Sequence, residues 1–278
     1  MKEYAFRIVN VFAREGRLTG NPLCVFEDGR GLDDEAQQAL ARQFNLSETT
    51  FILPSDKATA RVRIYTPAYE MPFAGHPTLG TAHVVRDLAS AGDSIQLEMQ
   101  AGIIPVAARG DRWTLKANAA KSRPAGESAA ELAQILGLDA AEIASPVLWV
   151  STGREQLVVP LKSAEAVRRA RPRAEAFARL ESEHGLGQAL VFADAGTSVE
   201  SRFFFPSGSA ILEDPATGSA CANLGGWFMA TQPGKDHRRV ISQGEMVGRP
   251  STLYLEVRGG TIHVGGDVIE LGRGRIAL

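Results

Sequence analysis

The chain has 278 residues, 44% hydrophobic and 22% charged, with 30 Lys and Arg against 32 Asp and Glu for a formal net charge of -2. This composition excludes wholesale disorder and supplies a core for one large domain or two small ones. No apolar run approaches the roughly 18 residues that cross a bilayer, and the balanced charge gives no reason to expect a nucleic-acid or membrane partner.

The N-terminal residues through Arg7 carry charges where a secretory leader needs an apolar stretch, so a cytoplasmic protein is expected. Phe6 to Phe12 reads as a strand, Gly20-Asn21-Pro22 as a turn, and Leu23 to Phe26 as a second strand. Asp33 to Phe44 places acidic residues first and apolar ones at Ala36, Leu40, Ala41 and Phe44, an amphipathic helix with a favourable N-terminal charge. Asn45 to Glu48 breaks it. Thr49–Leu53 and Arg61–Tyr65 read as strands, and Pro77 to Leu88 as a helix with proline in its first turn. Strands follow around Ile95–Met99, Ile103–Ala107 and Trp113–Lys116. Residues 118–130, rich in Ala, Ser, Pro and Gly, read as a linker.

The pattern then restarts. Glu131 to Leu136 and Ala174 to His184 read as helices. Between them lie strands at Val147–Val150 and Leu157–Val159, and a basic stretch from Arg168 to Arg173 that reads as a solvated helix end broken by Pro172. Strands at Ala189–Phe192 and Ser201–Phe205 precede a glycine-rich turn and a small-residue helix near Thr217–Ala230. Strands at Val240–Ile241, Thr252–Val257 and Thr261–Val264 close the chain.

Two segments are similar in kind: Phe73-Ala-Gly-His-Pro-Thr-Leu-Gly and Pro215-Ala-Thr-Gly-Ser-Ala-Cys-Ala. Each is a tight turn opening a helix with almost no charged face, hence a buried helix. They suggest two related halves, each with a central helix wrapped by strands. A helix start carries unpaired N–H groups and about half a positive charge, and glycine lets an anion approach. Gly75-His76 and Gly218-Ser219 are two such starts. If the halves face each other, both converge on one cleft whose natural ligand is a small carboxylate; the plainer reading is two helices with no ligand.

Three acid/base candidates sit beside tight turns. Glu48 precedes the apolar run Thr49-Thr50-Phe51-Ile52-Leu53, and partial burial there would suit a proton shuttle. His76, between Gly75 and Pro77, is placed to reach a ligand held by the turn, or to cap the helix. Asp214, just before Pro215, either joins the site or caps the following turn. Glu70 reads as structural. The chain has no P-loop, no G-x-G-x-x-G, no G-x-S-x-G, no paired-cysteine zinc motif, and no metal-ligand spacing among its five histidines. Cofactor-free proton transfer is what survives.

Six segments in order, Gly20-Asn-Pro22, Asn45-Leu-Ser-Glu-Thr-Thr-Phe-Ile-Leu53, Tyr65-Thr-Pro67, Met71-Pro-Phe-Ala-Gly-His-Pro-Thr-Leu-Gly80, Asp214-Pro-Ala-Thr-Gly-Ser-Ala220, and Gln243-Gly244 with Gly248-Arg-Pro-Ser251, resemble the PhzF-like isomerase family of the diaminopimelate epimerase fold group. The resemblance implies an α/β (α+β) fold of two pseudo-symmetric lobes, each a curved barrel-like sheet around a central helix. The lobes expected are 1–117 and 118–266, with a C-terminal strand of about 267–278 returning to the first and the active site between them. It also implies a homodimer and no cofactor. Glu48 matches the family's catalytic acid/base, and His76 and Asp214 its supporting polar residues. Gly75 and Ser219, with Gly218 beside them, match positions holding the substrate carboxylate, and Asn21 a polar contact near the ligand.

Diaminopimelate epimerase is similar in fold but places a cysteine on each face of the substrate carbon. Here the turns read Ala74-Gly75-His76 and Thr217-Gly218-Ser219, with no cysteine in either. A single carboxylate that removes a proton and returns it to an unsaturated substrate fits better. The expected function is a cofactor-independent isomerase catalysing an allylic or tautomeric shift on a small carboxylated metabolite. The alternatives are a catalytically silent carboxylate-binding member and an amino-acid racemase or epimerase.

Overall fold

In a computed structural model describing residues 2–183 and 185–278, the first apolar segment forms strand β1 (Glu3–Ala13). It pairs antiparallel with β2 (Asn21–Phe26), so Asn21 and Pro22 already lie in a strand rather than in the expected turn. Helix α1 (Asp34–Phe44) begins where Asp33 accepts the Ala36 N–H and ends where Asn45 turns left-handed at φ 50°. As the crossover connection it makes β3 (Glu48–Leu53) run parallel to β2. Glu48 is thus the first strand residue. β4 (Ala60–Tyr65) returns antiparallel to β3, and the short β5 (Glu70–Met71) lies antiparallel on β4. Helix α2 (Gly75–Leu88) then carries the chain to β6 (Ser94–Met99), parallel to β4, followed by hairpins through β7 (Gly102–Arg109) and β8 (Arg112–Lys116).

These strands belong to a first compact unit, Met1–Lys116 with Gly265–Leu278; the second is Ala117–Val264. In the first, α2 packs against β1, β2, β3, β4, β6 and β8. A helix touched on so many sides must be apolar all round, and residues 76–82 are all buried. Gly80 lets it come close: a Cβ there would lie 2.6 Å from Leu23 Cδ2 and 2.8 Å from Val11 Cγ2.

The second unit opens with β9 (Lys121–Pro124), helix α3 (Ala129–Leu136) and β10 (Leu148–Ser151), which pairs antiparallel with β9. The predicted linker at 118–130 therefore contains β9 and the first residues of α3. β9 shows no apolar alternation because backbone pairing with β10 and the grip of Arg123 on Glu155 hold it, and Ser128 closes a capping box that starts α3. β11 (Glu155–Pro160) follows, then α4 (Ala164–Arg169) and a single turn, α5 (Ala174–Phe177). The helix expected over 174–184 stops after that turn. The chain doubles back through β12 (Glu181–Ser182) and β13 (Gly185–Leu186), and Gly187 N–H donates to the Leu180 carbonyl at 2.7 Å. His184 lies outside the described residues.

β14 (Ala189–Asp194) is parallel to β11, and β15 (Ser198–Ser207) antiparallel to β14. The glycine-rich turn leads not directly to a helix but into β16 (Ala210–Asp214), antiparallel to β15. Helix α6 (Gly218–Thr231) comes next, then β17 (His237–Gln243), parallel to β15, and β18 (Ser251–Arg258). α6 packs against β9, β10, β11, β17 and β18. The basic stretch ends α4 as expected, with Arg168 paired to Glu200 and Glu165 and Arg169 to Glu142. A single last strand, β19 (Thr261–Ala277), replaces the short one expected at Thr261–Val264, and its register on β1 runs from Ala13↔Asp267 to Glu3↔Ala277.

The two units repeat one pattern. Strands β1 to β6 succeed one another as antiparallel, parallel, antiparallel, antiparallel side-strand, helix and parallel return; β10, β11, β14, β15, β16 and β17 do the same. Each pattern centres on a 14-residue helix beginning with glycine. This is the expected α/β fold of two pseudo-symmetric lobes around central helices. No helix among the described residues is long and apolar enough to cross a membrane.

Candidate active site

Neither central helix is capped by a side chain at its start, and neither has an acidic first turn. The N–H groups of Gly75 and His76, and of Gly218, Ser219 and Ala220, therefore have no partner within their helices; Pro77 has none to offer. These starts are where the candidate residues gather.

In the first unit, β3 begins at Glu48, beside Leu23 of β2, and α2 begins at Gly75. The two elements bring Glu48 Oε2 to 2.9 Å from His76 Nδ1. Both side chains are largely buried, Glu48 17% and His76 6% exposed. When a neutral His76 donates from Nδ1–H to an ionised Glu48, its Nε2 is an acceptor. That Nε2 is buried with no hydrogen-bond partner, a state that costs free energy unless something approaches to donate to it. Asn21 starts β2 and is buried.

In the second unit, Asp214 ends β16, where its Oδ2 accepts the Thr217 hydroxyl at 2.5 Å. Buried Gln243 braces the same turn: its Nε2 donates to the Asp214 carbonyl at 2.8 Å and contacts Thr217 Oγ1 at 3.0 Å. Gly218 is buried as the first residue of α6, and Ser219 is exposed with its Oγ accepting from Gln156 Nε2 at 3.0 Å. Asp214 thus meets a side chain of the turn that opens α6.

Gln156, Gln243 and Asn223 escape sequence reasoning as site residues. One signal was available for Asn223, a lone large polar residue inside the apolar run of α6; burial there demands partners. Glu70 is structural as read: it holds Arg63 through two hydrogen bonds of 2.7 Å.

One other charge cluster is already matched. A cavity of the first unit lined by Arg7, His83, Arg86, Asp87, Glu270 and Arg273 includes neither Glu48 nor His76, and Arg7 there bonds Glu27, Asp87 and Glu270 at 2.6–2.9 Å. Burial pushes the Cys24 and Cys221 thiols well above the ordinary cysteine range, so neither is a ready nucleophile or proton carrier.

The profile of the family described as phenazine biosynthesis-like protein matches residues 9–269. An uncharacterized isomerase of Pasteurella multocida is 37% identical, covering 98% of this chain and 94% of the relative. The trans-2,3-dihydro-3-hydroxyanthranilate isomerase of Pseudomonas aeruginosa is 33% identical over 99% of this chain and 100% of its own. Among solved structures, the PhzF-family phenazine biosynthesis protein of Bacillus anthracis superposes with a TM-score of 0.88 over 100% of both chains at 24% identity, which speaks for the fold. The chain belongs to the phenazine biosynthesis-like (PhzF) family and is an isomerase.

Proposed function

We propose that this isomerase shifts a proton within a small, unsaturated carboxylated metabolite, with Glu48 as the acid/base and His76 as its hydrogen-bonding partner. The observation that carries this reading is the Glu48–His76 contact beside the uncapped start of α2. A carboxylate held by an imidazole is a general base fixed in one orientation. When Glu48 takes a proton from carbon, the negative charge that His76 faces disappears. The imidazole N–H holds Oε2, which leaves Oε1 to take the proton and give it back. The N–H groups of Gly75 and His76 supply the local positive potential that a substrate carboxylate needs.

The Pseudomonas aeruginosa relative is named for a carboxylated, partly unsaturated ring, and that class heads the candidates here. Asp214, at the end of β16, joins Glu48 and His76 as a supporting polar residue of the reaction, and Gly75, Gly218, Ser219 and Asn21 are assigned to substrate binding.

The test is a metabolite-mixture screen in deuterated water read by mass spectrometry, with trans-2,3-dihydro-3-hydroxyanthranilate included. The expected result is mass gain in a turned-over compound with wild-type protein and none with Glu48→Gln. Exchange that survives in Glu48→Gln overturns the role of Glu48. If no compound exchanges yet small acids raise Tm equally in both proteins, the chain binds without turning over.

A further inference from the structure

The start of α6 carries an amide relay whose direction the backbone dictates. Thr152 N–H donates to Asn223 Oδ1 at 2.8 Å, and the Arg154 carbonyl accepts from Asn223 Nδ2 at 3.0 Å. A backbone N–H only donates and a carbonyl only accepts, so the Asn223 amide has one orientation. Its Nδ2 donates onward to Gln156 Oε1 at 2.8 Å. Gln156 Nε2 is therefore the end that faces Ser219 Oγ, at 3.0 Å, and Gln188 Oε1, at 3.4 Å. Asn223 and Gln156 are buried, which shields the hydrogen bond between them from water, while Ser219 at the end of the relay is exposed.

We propose that this relay sets the polarity of Ser219: its Oγ accepts from Gln156, and its proton is left to donate to an acceptor atom of the substrate, a carboxylate oxygen. Gln156 and Asn223 are positioning residues acting through Ser219. The inference rests on the reading above that Ser219 binds substrate.

The strand registers give the relay a second meaning. Met71 pairs with Ile64, and the neighbouring Tyr65 pairs with Thr49; Asp214 pairs with Phe203, and the neighbouring Phe204 pairs with Ala189. Met71 and Asp214 each stand four residues before the glycine that opens the helix. Thr49 therefore corresponds to Ala189, Glu48 to Gln188, and His76 to Ser219. Where one unit holds a pair that can exchange a proton, the other holds an amide and a hydroxyl, which near neutral pH only hydrogen-bond.

The test replaces Ser219 with a titratable reporter and needs no ligand. In Ser219→Cys, a thiolate would accept from Gln156 Nε2–H. Because burial holds the native thiols high, thiolate ultraviolet absorbance below their range reads position 219 alone. The thiol is expected to titrate about one unit below an ordinary cysteine. Adding Gln156→Glu, similar in shape but turning a carboxylate toward the sulfur, should raise that titration by about one unit or more. Gln156→Met, which only removes the donor, should raise it less. Gln188→Leu, which spares the Gln156 contact, should leave it unmoved. Equal titration with and without the Gln156 changes overturns the proposal. Loss of deuterium exchange in Glu48→Gln is read separately, so either idea can fail alone.

Discussion

Arg202 makes in the second unit the ion pair that Arg63 makes in the first. Each guanidinium grips one glutamate through Nε and Nη2, Arg63 with Glu70 and Arg202 with Glu213, and each lies over the ring of an adjacent aromatic, Tyr65 or Phe204. The strand registers make these residues equivalent, so the clamp belongs to the repeated pattern. Its place is the hairpin that delivers the chain to the central helix. The second copy is more deeply buried, with both side chains 8% exposed against 16% and 19% in the first. Arg202 Nη1 also bonds the carbonyls of Val167, Arg168 and Ala170 at the end of α4. Glu213→Gln should therefore destabilise more than Glu70→Gln, by roughly 3 kcal/mol for the buried pair and about 1 kcal/mol for the other. Denaturant melts of the two variants compare them; equal losses would contradict the assignment to burial.

Much of the fold is legible in the chain itself. Acidic residues ahead of an apolar stripe announce α1, and two uncharged, glycine-opened helices announce the central pair. The misread segments share a physical cause. β9 has the composition of a linker because backbone pairing with β10 holds it, with little side-chain burial. The apolar residues of Ala174 to Leu180 imitate a helix, yet the close approach of Gly187 to Leu180 ends it. At the site, Glu48 and His76 stand out because each adjoins a tight turn. The amides of Gln156, in β11, and Gln188, just before β14, do not, because a glutamine in or beside a strand carries no mark of the partner it meets across the fold.

His76 offers a second prediction. His76→Ala removes the donor that orients Glu48, and deuterium exchange on a turned-over substrate should fall by roughly 100-fold. His76→Asn can place an amide N–H near the position of Nδ1, and should recover part of that loss. Equal rates in Ala and Asn would mean that orientation of Glu48 is not what the imidazole provides.

Gly244 follows Gln243 and holds the turn ahead of α6 from beneath. Its φ is +83°, and a Cβ there would stand 2.3 Å from the Arg249 carbonyl oxygen and 2.5 Å from that of Pro215. Neither atom is the end of a flexible side chain, so the backbone itself must move. Gly244→Ala combines a left-handed penalty with overpacking and should cost roughly 2–4 kcal/mol. Because Pro215 joins Asp214 to the helix, the variant should also lower affinity for a small carboxylate ligand at temperatures where it remains folded. Wild-type Tm in Gly244→Ala would show that this contact does not hold the turn.

Acid should weaken the fold first through two imidazoles. Burial holds His83 and His237 below the ordinary histidine range, helped by Arg86 in one case and Arg239 in the other. The His83 ring also accepts the Trp113 indole N–H at Nδ1, 3.4 Å away, which only an unprotonated nitrogen can do. In the unfolded chain each returns to about 6.5. Above that pH both states carry neutral rings, and these residues give stability no slope. As pH falls through about 6.5, the unfolded chain takes up protons that the folded one refuses, so stability declines until the lower folded values are passed. The carboxylate of Asp87, held down by its hydrogen bond to Arg7, contributes at this pH and loses its effect only below about 4. Tm should therefore fall between about pH 7 and 5, more shallowly in His83→Gln, whose amide oxygen can still accept from Trp113. An unchanged slope in that variant would remove His83 from the account and leave His237 to carry it.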